Sequence, residues 1–290
     1  MNDDEAPAPD VLFAGVDNVF ECLVHLDKNQ DVLVVGDVSP TNFRAIETER
    51  NRRGQKFRLF YQPAWELVVV TVPTLVHSIM HTMLYDTVRD ALRGMNAHAG
   101  WMSVGTTTFN ATNGSSGQAD AAGWPIDSRN ADDWPTLVVE AGVSQTLRLS
   151  LLQAKMRWWF DVATSNHQVK VVVLVMLDAA REAICIEKWV KTQKPGRPGA
   201  TTTRQATCSG LAAPQPVCAQ TIDITWAGPA PIMQMPKQDR APAHFCVTGG
   251  PLVIGFGEIY LRVPNTEEHD IAIATAHLQQ YASRLWQYVV

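Results

Sequence analysis

Charge is scarce in this chain: only 18% of its 290 residues are Asp, Glu, Lys or Arg. The balance is slightly acidic, with a formal net charge of −5 and a pI near 5.9. A nucleic-acid binder is expected to carry a basic footprint, and its absence over the whole chain argues against tight, charge-driven coating of DNA or RNA. A basic groove of local extent is still allowed. Arg44, Arg50, Arg52, Arg53, Lys56 and Arg58 are close enough in sequence to form one, and a solvated loop is the plainer reading of the same residues. Long apolar runs are missing as well. The longest, Val169–Leu177, falls far short of the ~20 residues that span a bilayer, so no membrane helix is expected. The opening MNDDEAPAPD has no apolar stretch of the signal-peptide kind, so no secretory leader is expected. The five cysteines include no CxxC pair, which argues against a zinc knuckle. Widely spaced reduced thiols suit an intracellular setting, cytoplasmic or nuclear. The P-loop pattern GxxxxGK[ST] and the nucleophile elbow GxSxG are absent too.

What the chain does have is apolar mass. Hydrophobic residues make up 46%, with nine tryptophans and nine phenylalanines, enough to close a substantial core. Residues 1–55 read as an N-terminal extension, irregular over the first ten, with a short strand in DVLVVGDV. After the break at Ser39-Pro40 a charged loop is expected to run to Gln55. KFRLFY and ELVVVTV read as a hairpin turning at Gln62-Pro63. Pro73 ends it, and Thr74 is placed to cap a helix reaching about Met95, with Leu75, Ile79, Met83, Val88 and Leu92 near helical period. Trp101–Phe109, Gln118–Ala122 and Thr136–Gly142 read as three strands. A helix from Ser144 to about Val162 follows, then the β-branched run Val169–Leu177, expected of a strand covered on both faces, and a strand over Glu182–Val190. These elements make 56–190 the core. Residues 191–218, rich in Lys, Pro, Gly and Thr, read as a flexible insertion. Residues 219–290 read as an extension packing on the core, with strand character in Pro251–Val263 and a helix over Thr275–Tyr288.

Two acids stand out in this order. Asp120 lies on the second strand of the three, and Glu140 ends the apolar run LVV of the third, where an unpaired carboxylate is costly to bury. Two carboxylates close in space can hold Mg²⁺ through oxygen ligands. Such an ion lowers the pKa of a bound water and stabilises charge on a phosphoryl oxygen. The bland alternatives are a loop acid at 120 and a salt bridge from Glu140 to Arg148. His77 and His81 share a helix face, but no glutamate follows His77, which removes the zincin reading. His77 either lines the same cleft or is an ordinary capping or partly buried histidine.

The order helix, strand, strand, strand, helix, strand, with QAD (Gln118–Asp120) and VVEAG (Val138–Gly142), resembles the PD-(D/E)XK nuclease superfamily. PTLVHS (Pro73–Ser78), GQADAAGWP (Gly117–Pro125), WPTLVVEAGVSQTL (Trp134–Leu147), KVVVLVMLD with ICIEKW (to Trp189), and FGEIYLRVPNTEEHDIAIATAHL (Phe256–Leu278) resemble uncharacterised fungal members of it. The resemblance implies an α/β fold of restriction-endonuclease type: an αβββαβ core whose mixed central sheet is flanked by helices, plus N- and C-terminal extensions. It implies that Asp120 and Glu140 are the catalytic, metal-binding acids, that the cofactor is Mg or Mn, that the partner is DNA or another nucleic acid, and that the reaction is phosphodiester hydrolysis.

The third superfamily position departs from the pattern. A lysine two residues after the glutamate shares its strand face, and here that position is Gly142. Some members supply the group from the following helix, where Gln145, Arg148 and Lys155 are the candidates. Lys155 lies about ten residues, roughly 15 Å, into a helix that begins at Ser144, which favours Gln145 and Arg148. Lys170 is expected at the far end of the next strand. Gly142, the acidic pI and the sparse basic residues near the motif support a second expectation, a catalytically inactive descendant that serves as a binding or interaction protein. The feature that separates the two is whether a cationic or amide group points at the two carboxylates.

Overall fold

The computed structural model describes residues 6–26, 30–105, 107–130, 133–143, 149–161, 169–192 and 214–289. Its N-terminal part runs through strand β1 (Val11–Leu12), helix α1 (Val16–Val24), strand β2 (Val32–Gly36) and helix α2 (Pro40–Arg52). Helix α2 replaces the charged loop expected there. Ser39-Pro40, read as a break, is a helix start: Ser39 Oγ accepts from Asn42 N at 3.2 Å. Pro40 takes the first turn, where a missing N–H costs nothing. The expected hairpin forms from β3 (Arg58–Gln62) and β4 (Leu67–Thr71), turning through Pro63–Trp65 onto Glu66 at φ 47°. Thr74 caps helix α3 (Leu75–Gly94), its Oγ1 accepting from His77 N at 3.2 Å.

The middle of the chain divides its strands between two sheets. The strand expected over Trp101–Phe109 is two, β5 (Trp101–Ser103) and β6 (Thr108–Asn110). The one expected over Gln118–Ala122 is likewise two, β7 (Ser116–Gln118) and β8 (Ala121–Pro125). Strand β9 (Leu137–Val143), helix α4 (Leu149–Phe160), β10 (Val171–Asp178) and β11 (Ala183–Thr192) follow. The C-terminal part holds β12 (Gln215–Trp226), β13 (Phe245–Thr248), β14 (Leu252–Ile254), helix α5 (Phe256–Tyr260), β15 (Ile271–Ile273) and helix α6 (Thr275–Leu285). The strand character of Pro251–Val263 is confined to β14. Glu258 Oε2 accepts from Gly255 N at 3.0 Å and turns the chain into α5 instead. Of the insertion, residues 193–213 lie outside the described residues.

A six-stranded sheet has the order β1-β2-β4-β3-β7-β6, a seven-stranded sheet the order β13-β12-β11-β10-β9-β8-β5, and β14 with β15 forms a ribbon. In the larger sheet every pair is antiparallel except β9–β10, which is parallel across helix α4. A parallel pair needs such a crossover. The succession α3, β5, β8, β9, α4, β10 is the expected αβββαβ core, with β6 and β7 inserted and given to the other sheet. The molecule is therefore a mixed α/β fold, with mixed sheets flanked by helices. No helix among the described residues is long and apolar enough to cross a membrane.

Strands β9 and β10 are covered on both faces, and alternation sends their residues into different cores. Leu137, Val139, Ala141, Val171 and Val173 pack with α3, α5 and α6. Val138, Val172 and Leu174 pack with Leu151, Met156, Trp158 and Trp159 of α4, and that core also takes Val34, Phe60 and Val69 from the smaller sheet. Glu140 is in phase with Val138. Its side chain therefore enters the layer where the two sheets and α4 meet.

Candidate functional site

Asp120 stands where the chain leaves one sheet for the other, between β7 and β8 rather than on a strand. Its Oδ1 accepts from Arg58 Nη1 at 2.5 Å, at the start of β3. Its Oδ2 accepts from the backbone N of Ala141 at 2.8 Å, in β9, and lies 3.2 Å from His77 Nε2 in the first turn of α3. Three elements distant in sequence thus converge on one carboxylate. Of the basic cluster in 44–58, Arg52 and Arg53 are taken up by Glu49 and Asp17. Arg58 is the member that reaches the acids.

Glu140 sits in the middle of β9, not at its end. Its Oε2 accepts from Lys155 Nζ at 3.1 Å and its Oε1 from Trp159 Nε1 at 2.8 Å. Lys155 and Trp159 are four apart on α4 and so share a face. Trp159 was legible in the sequence only as core. It is core, packed against Trp158 at 4.7 Å between ring centroids, and it is also a donor to the acid. The structure brings Lys155 to Glu140 although the sequence ranked it behind Gln145 and Arg148. That ranking assumed a helix beginning at Ser144 beside the site. Helix α4 begins at Leu149, and its Lys155 meets Glu140 in the middle of β9. Gln145, Arg148 and Ser144 fall outside the described residues. Lys170 donates its backbone N to Thr136 O at 3.0 Å and takes no part in the cluster.

The electrostatics follow from burial and neighbours. Burial pushes the Asp120 carboxyl up, but the charges of His77, Lys155 and Arg58 hold it well below the usual carboxylate range. Glu140 is pushed up by burial and by the Asp120 charge, against the pull of Lys155. Lys155 would be lowered by burial, yet Glu140 and Asp120 together raise it. His77 is raised in the same way, since Asp120 outweighs its burial. His81, with its ring 5.5 Å from that of His77, has no hydrogen bond at Nε2 and is lowered to about 4, chiefly by burial. The Asp120 charge reaches Glu140, and their environments push the two acids apart: one is held ionised, the other holds a proton more readily.

The chemistry of this donor set suits a hard divalent ion. Magnesium takes one or two carboxylates and completes its shell with water and phosphate oxygens, and two carboxylates are what the cluster offers. The set is closed in the state seen here. Each of the four carboxylate oxygens has a nitrogen donor within 3.2 Å. Among the described residues no group of three or more His, Cys, Asp or Glu side chains is placed to hold a metal ion.

No family model matches the chain, and no curated protein matches it, so the likeness to fungal members of the superfamily gains no support from relatives. Four solved chains match in structure. One is a candidate nuclease of the DUF820 family from Anabaena variabilis, 8% identical, covering 78% of this chain and 90% of its own, at a TM-score of 0.37. A likeness of that size assigns neither a substrate nor a site.

Proposed function

We propose that this chain is a nuclease-like domain that hydrolyses phosphodiester bonds of nucleic acid, DNA first, at a centre made of Asp120, Glu140 and Lys155. The observation that carries the reading is the Lys155 ammonium 3.1 Å from Glu140. It supplies from α4 the cationic group that Gly142 cannot. In this reading Asp120 and Glu140 hold Mg²⁺ or Mn²⁺, which supplies a water of lowered pKa and stabilises phosphoryl charge. The chain's own groups do the rest. The Ala141 N–H fixes the direction of Asp120, and the Trp159 N–H fixes that of Glu140. Lys155 neutralises charge gathered at the acids. Gln145 and Arg148, in the segment between β9 and α4, complete the proposed site as contacts for water or phosphate.

A second reading, a catalytically inactive binding or interaction protein, is favoured by one observation: both acids are sealed and already compensated, with 0% side-chain exposure. Calorimetric titration with Mn²⁺ followed by plasmid nicking separates the two. The nuclease reading expects binding in the wild type, loss of binding in Asp120→Ala and Glu140→Ala, and loss of nicking in Lys155→Met with Mn²⁺ binding kept. A wild type that neither binds Mn²⁺ nor nicks leaves the inactive reading.

A further inference from the structure

The members of the cluster differ in their access to solvent. Side-chain exposure is 0% for Asp120, Glu140 and His77, 6% for Lys155 and 14% for Arg58. Arg58 is therefore the most exposed member of the cluster, and it comes from the smaller sheet rather than from the αβββαβ core. It meets the Asp120 carboxylate on one oxygen only: Nη1 donates to Oδ1 at 2.5 Å, while Nη2 donates to the Asp120 backbone carbonyl at 3.4 Å, a long contact. The other carboxylate oxygen is tied to the β9 backbone through Ala141 N. Oδ1 is thus the oxygen that can change partners without disturbing a strand. A guanidinium released from it is a permanently charged planar fork, the shape that pairs with a phosphate.

We infer that Arg58 is an exchangeable cation of this site: it occupies Asp120 Oδ1 when no ion is bound, yields that oxygen to the divalent ion, and then pairs with a nucleic-acid phosphate on its solvent-exposed side. The inference rests on the nuclease reading. It has two consequences of opposite sign. Removing Arg58 strengthens ion binding and weakens nucleic-acid binding, whereas an arginine that merely holds the fold together would weaken both when removed.

The test uses the full chain as wild type, Arg58→Met and Arg58→Lys, with circular dichroism to establish folding. Mn²⁺ affinity is read by calorimetry, and affinity for a short fluorescent DNA duplex by anisotropy in Ca²⁺. The expected result for Arg58→Met is Mn²⁺ binding tighter by about tenfold and duplex binding weaker by about tenfold, each roughly the size of one charged contact. Arg58→Lys is expected to recover most of the duplex affinity. Should Arg58→Met not fold, Arg58→Gln, which keeps a donor toward Oδ1 without the charge, carries the same two expectations. Unchanged or weaker Mn²⁺ binding in a folded variant overturns the exchange. Unchanged duplex binding overturns the phosphate contact and leaves the nuclease reading, which rests on Lys155, standing. A wild type that binds no Mn²⁺ removes both.

Discussion

The two carboxylates are built in different ways. Glu140 is served locally: its donors lie 15 and 19 residues further along, on the helix that follows its own strand. Asp120 is served from afar. Arg58 is 62 residues away in sequence and belongs to another sheet, and Ala141 is 21 residues away on a neighbouring strand. A β-α unit can carry the Glu140 half wherever it folds, but the Asp120 half exists only once both sheets and α3 are in place. The local half is also the more deeply closed, since Lys155 is 6% exposed and Arg58 14%. Breaking the two halves should therefore cost different amounts.

The largest effect is expected from Lys155→Met, which strands one buried carboxylate near the charge of a second, Asp120. A loss of about 3–5 kcal/mol is expected in denaturant unfolding. Pairing it with Glu140→Gln should restore most of that, because no unpaired charge remains. A double variant as unstable as the single would show that Lys155 acts by packing alone. Arg58→Met should cost less, about 1–2 kcal/mol, since Asp120 keeps Ala141 N–H and His77 and the guanidinium removed is itself 14% exposed. If Arg58→Met proved the costlier of the two, the contrast between the more closed half and the less closed half would fail.

The two histidines beside Asp120 sharpen the contrast through pH. His77 is raised in the folded state, so the fold binds its proton more tightly than the unfolded chain does. That stability is fully present below the unfolded value of about 6.5 and is lost as pH rises through the folded value. His81 has the opposite sign, lowered to about 4. Its contribution is present above about 6.5 and is lost as pH falls toward 4, by about 3 kcal/mol at most. Unfolding midpoints taken across this range should show an acid limb that flattens in His81→Leu and an alkaline limb that flattens in His77→Gln. Limbs that persist unchanged in both variants would assign the pH response elsewhere. The smallest effect is expected from Trp159→Phe, which keeps most of the ring packing and removes one donor to Glu140: about 1–1.5 kcal/mol. A loss as large as that of Lys155→Met would mean that the ring matters more than the N–H.

The same contrast explains what could be read from the residues in advance. Helix α3, the β3–β4 hairpin, β9 and β10 were legible because apolar period and β-branched runs are local signals. Glu140 was legible because an acid inside LVV demands a partner. Lys155 was undervalued for a geometric reason, the assumed start of α4 at Ser144. Helix α2 was hidden because Ser-Pro serves equally as a break and as a cap with a first-turn proline. Arg58 could not be assigned to Asp120, and His77 was placed in the same cleft only as one of two alternatives, since sheet pairing and helix packing create those contacts and no spacing in the sequence encodes them. The division of β5 from β6 and of β7 from β8 between two sheets has the same origin.

The position of Asp120 between β7 and β8 has a consequence for how the molecule comes apart. The chain passes from one sheet to the other at that residue, and the guanidinium that meets it comes from β3. If the smaller sheet frayed by itself, it would withdraw Arg58 and leave a sealed negative charge behind in the larger one. Partial opening is therefore penalised, and the two sheets should melt together as one cooperative unit. Amide protons in β3 and β9 would then exchange with the same free energy of opening.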